Sequence, residues 1–316
     1  MILKKHVLLS ILLVVALSGC LGGGQATALS NEGVVIKAFE ADLTALDGGD
    51  AFSLFLDAEN VGGAEASNVY ALLYGIPMTT SSGSTDSFEI ETGEDKPVKL
   101  SDSLFAPDST ANLRGDVASK TWDLTAPELP TGVTQPYNPR VRLFYKYSTI
   151  ATSTVTALTS SEHRRLRERS DAIPDQTQTI VSGGPIGVTI NARAPVVIDD
   201  FATDRIRLII NVEVLQNGNA FSPGATDFKD KGTVGESELD KVEIKITAPG
   251  TDAATGECQA VKDKDTLTLR AGTSATYSCA LKTDSFVGRK DIPVRVSLTY
   301  HFMTDTSTTI TVAGVS

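Results

Sequence analysis

Residues 140–158 read RVRLFYKYSTIATSTVTAL, and residues 295–313 read RVSLTYHFMTDTSTTITVA. At an offset of 155, Arg140, Val141, Leu143, Tyr145 and Tyr147 fall on Arg295, Val296, Leu298, Tyr300 and Phe302 without a gap. Thr149 then meets Thr304, and Thr154, Val155 and Thr156 meet Thr309, Ile310 and Thr311. Large apolar side chains stand at every second position in both copies, the period of a half-buried strand. The pattern predicts that each half closes on the same hairpin, an apolar-faced strand followed by a Thr-rich one. A fainter echo sets Leu113 and Arg114 on Leu269 and Arg270. Two tandem copies of one sandwich explain these coincidences together.

Working back from the first closing strand, period two holds almost throughout. Phe52, Leu54, Leu56 and Ala58 alternate with polar or small neighbours, and residues 60–63 (NVGG) supply turn chemistry. Further strands are expected at 34–40, 68–75, 88–91, 96–100 and 120–124. In the second half they are expected at 186–191, 205–214, 241–247, 257–261, 266–270, 275–281, 293–302 and 308–312. No stretch of the mature chain sustains a 3.6-residue pattern, so the fold class is all-β: two antiparallel β-sandwiches at 33–158 and 181–316. Residues 215–239 are too long for a turn and read as a partly ordered excursion or a functional loop.

Between the halves, residues 159–180 (TSSEHRRLRERSDAIPDQTQTI) change character. Ser160 or Ser161 can cap a short helix, Glu162 suits its first turn, and Pro174 ends it. This is a short helical linker. Its Arg164, Arg165, Arg167 and Arg169 are expected to pair with Glu162, Glu168, Asp171 and the acidic halves on either side.

The 316 residues carry 28 Lys and Arg against 39 Asp and Glu. That acidity argues against nucleic acid as a partner. At the N-terminus, Lys4 and Lys5 precede an apolar run at 7–17 that is too short to span a bilayer, as expected of a signal peptide. Leu17, Ser18, Gly19 and Cys20 resemble the lipobox of prokaryotic lipoproteins. That resemblance implies removal of 1–19, lipidation of Cys20 and attachment to the outer face of the membrane, with 20–32 as a tether. Stable anchoring needs two acyl or alkyl chains. Residues 20–24 (CLGGG) resemble archaeal lipoproteins more than bacterial ones. The mature chain then holds 26 basic against 39 acidic residues, a net charge of −13. Cys258 and Cys279 remain, an even pair in an exported chain, and a disulfide is expected. Metal ligation is the alternative, and two cysteines with no nearby His do not complete a zinc site.

The tandem layout resembles the immunoglobulin-like envelope domains of archaea and bacteria, including the cell-adhesion-related (CARDB) type. The likeness lies in the 60–63 turn, residues 122–127 (WDLTAP), 145–149 (YKYST), 182–188 (SGGPIGV) and the Cys258/Cys279 pair. It implies non-enzymatic spacers or adhesion modules, and no catalytic residues come with it. The expected function is a structural, adhesive or protein-interaction role in the envelope, with another envelope or surface protein as partner.

The residues offer little chemistry of their own. His301 alternates with Tyr300 and Phe302 on a period-two strand and is expected to face solvent, while His163 lies among arginines. No nucleophile elbow, zinc helix, phosphate loop or dinucleotide fingerprint occurs. Asp199, Asp200 and Asp204 cluster in VIDDFATD, and Asp227 and Asp230 stand in the long loop with Glu236, Glu238 and Asp240. Either set could supply oxygen ligands to Ca2+, although neither has EF-hand spacing. Trp122, Tyr70, Tyr74, Tyr137 and Tyr145 are the candidate platform for a glycan, with Trp122 expected in the core. A calcium- or glycan-binding module is therefore the alternative function. An envelope hydrolase is a remote one, since nothing sets two carboxylates across a cleft.

Overall fold

A computed structural model of the chain describes residues 30–315, apart from 82–85, 193–194, 200–204 and 254–257. The first half holds β1 (Val34–Ala41), β2 (Ala45–Asp47), β3 (Ala51–Asn60), β4 (Ala66–Tyr74), β5 (Met78–Thr79), β6 (Phe88–Ile90), β7 (Val98–Leu104), β8 (Val117–Thr125), β9 (Thr134–Tyr137) and β10 (Arg140–Thr159). Helix α1 (Ser160–Glu168) follows. The second half opens with β11 (Ile180–Val181), β12 (Ile186–Ala192), β13 (Val196–Ile198), β14 (Arg205–Val214) and β15 (Asn219–Phe221). It continues through α2 (Phe228–Lys231), β16 (Lys241–Thr247), β17 (Thr251–Ala253), α3 (Gln259–Lys262), β18 (Asp265–Thr268), β19 (Ser274–Thr283), β20 (Arg289–Ser307) and β21 (Ile310–Ala313). Where the sequence suggested a strand at 257–261, α3 stands instead.

The sheets order the strands of the two halves alike. One five-stranded sheet runs β1-β3-β8-β6-β5, and a four-stranded one runs β12-β14-β19-β17. Both face a single nine-stranded sheet whose path is β18-β16-β20-β10-β4-β7. Thus β1-β3-β8 corresponds to β12-β14-β19, and β7-β4-β10 to β18-β16-β20. Alternation decides which side chains go inward: Phe52, Leu54, Leu56 and Ala58 of β3 are buried, as are Ile206, Leu208, Ile210 and Val212 of β14. Trp122 is also fully buried, as expected.

Neither expected closing hairpin forms: β10 runs on without a turn, and β21 pairs with β2 and β9 and not with β20. β10 is one unbroken strand of 20 residues, roughly 60 Å long. Tyr147, Thr149, Ala151, Ser153, Val155 and Ala157 all face inward, so the alternation never changes phase and nothing reverses the chain. Thr149 tolerates that burial because its hydroxyl bonds Tyr300 Oη at 2.8 Å.

The two repeat copies pair with each other. β10 and β20 run antiparallel from Arg140↔Ser307 to Leu158↔Arg289. Lys146 sits directly opposite His301, its own counterpart at the offset of 155. This pair therefore marks a pseudo-two-fold axis, the self-complementary geometry of an isologous dimer built within one chain. The same register continues into β9 and β21, with Ile310↔Tyr137 through Ala313↔Thr134, across a break at Asn138 and Pro139. β21 is also parallel to β2, so the last strand of the second half is inserted between two strands of the first. Ile310 and Val312 are fully buried there. One hydrophobic cluster accordingly runs from Val34 to Val312.

The segment after α1 turns back along the second half. Thr177 N donates to Thr154 O at 3.0 Å, Thr154 N to Thr177 Oγ1 at 2.7 Å, and Ser153 Oγ to Thr177 O at 2.8 Å. On its other side, Gln176 Oε1 accepts from Ala192 N at 2.7 Å and Thr179 Oγ1 from Ile190 N at 3.0 Å. Two side chains thus stand in for a neighbouring strand and blunt the edge at β12.

Candidate functional site

Two polar or aromatic assemblies occupy the waist of the molecule, one on each face of the nine-stranded sheet. On the inner face lies a tyrosine joint. Gln216 Oε1 accepts from Tyr145 Oη at 3.0 Å and from Gly33 N at 2.9 Å, while its Nε2 donates to Val34 O at 2.9 Å. Ala64 N donates to Tyr147 Oη at 3.0 Å. Asn60 Nδ2 donates to Ala64 O and Leu104 O, which fixes the NVGG turn beside it. Burial pushes the Tyr147 hydroxyl up to about 12 and raises Tyr145 and Tyr300 as well, so all three stay protonated hydrogen-bonding groups.

Glycine lets the backbones meet here. A Cβ on Gly63 would lie 1.4 Å from the Ser182 carbonyl oxygen, and one on Gly184, at φ +140°, would lie 2.6 Å from the Tyr147 ring. The NVGG and SGGPIGV motifs are therefore the two halves of one contact. Gly184 N also donates to Ser30 O at 3.0 Å, which holds Ser30 at this waist.

On the outer face, residues 219–239 form an ordered cover. β15 pairs with β20 at His301–Met303, and Phe221, Ala225 and Phe228 make a separate small core with Phe144. Phe228 meets Tyr70 edge-on at 5.8 Å and Phe144 at 5.3 Å. His301 is only 3 % exposed, which corrects the expectation that it faces solvent. Its ring stacks on Phe221 at 5.1 Å and lies 4.9 Å from Phe228, and Nδ1 bonds Ser222 O at 2.9 Å. The alternation holds, and a second layer covers the outward side. The signal for it was in the sequence: Leu143-Phe144-Tyr145 and the run from Tyr300 to Met303 put bulky side chains on both faces of one strand. Gln216 gave no such signal.

The remaining sequence candidates are dispersed. Cys20 lies outside the described residues, as do Asp200 and Asp204. Asp199 accepts from Ser160 Oγ at 3.1 Å beside α1. Asp227 pairs with Lys231 at 2.9 Å in the cover, where Asp230 is exposed. Asp199 stands beside the Thr159 end of β10 and the cover near Lys146, roughly 40 Å apart by the strand's rise per residue. Among the described residues no group of three His, Cys, Asp or Glu is placed to hold a metal. The aromatic candidates do not share a surface. Tyr145 and Trp122 are core, Tyr70 is under the cover, Tyr137 meets Phe88 edge-on, and Tyr74 lies under Arg142 at 5.0 Å. Cys258 and Cys279 form a disulfide with Cα atoms 4.9 Å apart.

Helix α1 is capped by Thr159, whose hydroxyl accepts from Glu162 N, rather than by Ser160 or Ser161. It buries no side chain. Arg165 pairs with Glu162, whereas Arg164 and Arg167 are exposed and form no ion pair among the described residues, so the expected network is only partly present. No described helix is long and apolar enough to cross a membrane.

No known family matches the sequence, and no curated relative matches it. Among solved structures, Salmonella alpha-2-macroglobulin is 11 % identical with a TM-score of 0.22; the match covers 90 % of this chain and 23 % of that one. The D0-D1 domain of Intimin is 13 % identical with a TM-score of 0.18, covering 88 % and 98 %. The Enterococcus faecalis MSCRAMM ACE is 9 % identical with a TM-score of 0.16, covering 89 % and 95 %. The chain spans under a quarter of the macroglobulin, and likenesses this slight carry neither fold nor function.

Proposed function

We propose that this chain is a lipid-anchored prokaryotic surface protein, of archaeal type, that acts without catalysis as a rigid adhesive or structural module. In this reading its halves are tandem immunoglobulin-like sandwiches of the cell-adhesion-related kind, and its partner is another envelope or surface protein. Lipid on Cys20 ties it to the membrane. The observation that supports it best is the β10–β20 ribbon. A flexible pair of beads would need only the linker, whereas here the closing strands of both halves pair along their whole length and β21 crosses into the first half. Such a body holds its ends at a fixed separation.

The test is display of the full chain in a prokaryotic host that processes lipoproteins, beside a Cys20→Ala variant. Expected are membrane fractionation and protease accessibility on intact cells for the parent chain, release of the variant, and adhesion of displaying cells to native envelope fragments. Membrane attachment without adhesion would remove the adhesive role. Equal attachment of both chains would remove the lipid anchor.

A further inference from the structure

We propose that residues 219–239 are an acid-released cover, detached by protonation of His301 so that Phe144, Tyr70 and Leu72 on the outer face of the first half become exposed. Three observations carry this. The cover packs separately: Phe221, Ala225 and Phe228 meet Phe144 in a cluster of their own, apart from the main core. Its hydrogen-bonded attachment to the sheet is short, the three pairs of β15 with β20. Through all of this runs one ionisable ring, His301, stacked on Phe221, touching Phe228 and bonded to the cover's own backbone at Ser222 O.

The charged surroundings oppose protonation. From β10 the facing group is Lys146, directly opposite in register, and from α2 it is Lys229, beside Phe228. From β4 the cover meets Tyr70, and β15 and Ser222 bring no charge. No carboxylate acts on the ring; Asp227 is engaged with Lys231. The ring nitrogen bonded to Ser222 O must donate, since a carbonyl only accepts, so a second proton would go to Nε2. Attraction between an imidazolium and the Phe faces offsets part of the cost. Burial nevertheless dominates and, with the two lysines, pulls the imidazole from its ordinary 6.5 down to about 4. Because the folded-state value is depressed, the neutral ring's contribution is complete above pH 6.5 and is lost as pH falls from there through 4. Release of the cover frees the ring to protonate and leaves the main core intact.

The experiment is hydrogen exchange on the full chain between pH 7.5 and 4, corrected for intrinsic rates, with Trp122 emission followed in parallel. Trp122 is the chain's one tryptophan and lies in the first half's main core. Protection at 219–239 is expected to fall on the order of tenfold or more by pH 5, while Trp122 and the β10 amides hold. His301→Phe and His301→Gln should both abolish that early loss, and whichever folds at pH 7.5 serves. In the parent chain, the His301 proton resonances should titrate below 5 while the cover is closed. The proposal is overturned if 219–239 stays protected to pH 4, if it opens together with Trp122, or if the neutral variants open as the parent does. The last result would assign the acid response to Asp227, Asp230, Glu236 and Glu238 instead.

Discussion

The outer faces of the two halves are built on equivalent strand pairs and have opposite fates. In the first half Phe144 pairs with Tyr70 and Arg142 with Leu72; in the second Thr299 pairs with Glu243 and Ser297 with Lys245. The apolar face is roofed by 219–239, which belongs to the other half, and the polar face is left bare. That bare face holds a shallow groove of about 480 Å³ lined by Thr152, Thr154, Ile180, Thr247, Pro293 and Arg295. The connections differ to match: 60–65 joins β3 to β4 in a tight turn, while the corresponding link from β14 to β16 is the long excursion. The equivalent strand pairs of the two halves thus differ in the residues on one surface and in the length of one connection. The second half lends the first both a roof and a strand.

The sharpest way to break this comparison is to remove 308–316. Losing Ile310 and Val312 forfeits two buried aliphatic side chains, about 3–6 kcal/mol, and strips β2 and β9 of their shared neighbour. Urea unfolding followed at Trp122 should show the first half weakened most, although the deleted residues belong to the second. Next in size is the pair Phe144→Ala and Thr299→Ala. Truncating the roofed residue should cost about 3–5 kcal/mol, while the equivalent change on the bare face should stay within ~0.5 kcal/mol of the parent. Equal costs at the two positions would mean the roof adds nothing.

Removing the disulfide by Cys258→Ala with Cys279→Ala sharpens the comparison from the other side. A loss of about 3 kcal/mol is expected, confined to exchange protection in β19 and its neighbours while the β3 and β8 amides keep theirs. The smallest effect expected is that of Gln216→Leu, about 1–3 kcal/mol from leaving Gly33 N and Val34 O without their partner. The same change should speed exchange at Gly33, which amide exchange at neutral pH will read directly.

Much of the sheet framework was legible because period two survives wherever one face is buried, as in β3, β14 and the closing strands. A hairpin is expected in the first half because an apolar-faced run gives way there to a Thr-rich one, which reads as a second strand. Polar side chains can continue a strand when a buried partner waits for them, and Tyr300 is more than 150 positions away. Register between β10 and β20 was likewise out of reach, since a repeat states which residues are alike and not which are adjacent. His301 was misplaced for a related reason: its strand reports two faces, and the second layer is supplied by Phe221 and Phe228, remote in sequence. The cysteine pair was legible by parity alone, and the tyrosine joint only as glycine-rich punctuation whose partner could not be named.

The hold on Ser30 beside Gly184, set against the long ribbon, has a mechanical consequence. A body held at its middle and tugged at either tip carries the load along its strands, so β10 slides against β20 and β21 slides between β2 and β9. Many hydrogen bonds then share the strain at once instead of opening one after another from an end. The far end is doubly secured, because the final strand is gripped on both sides by the half it did not come from.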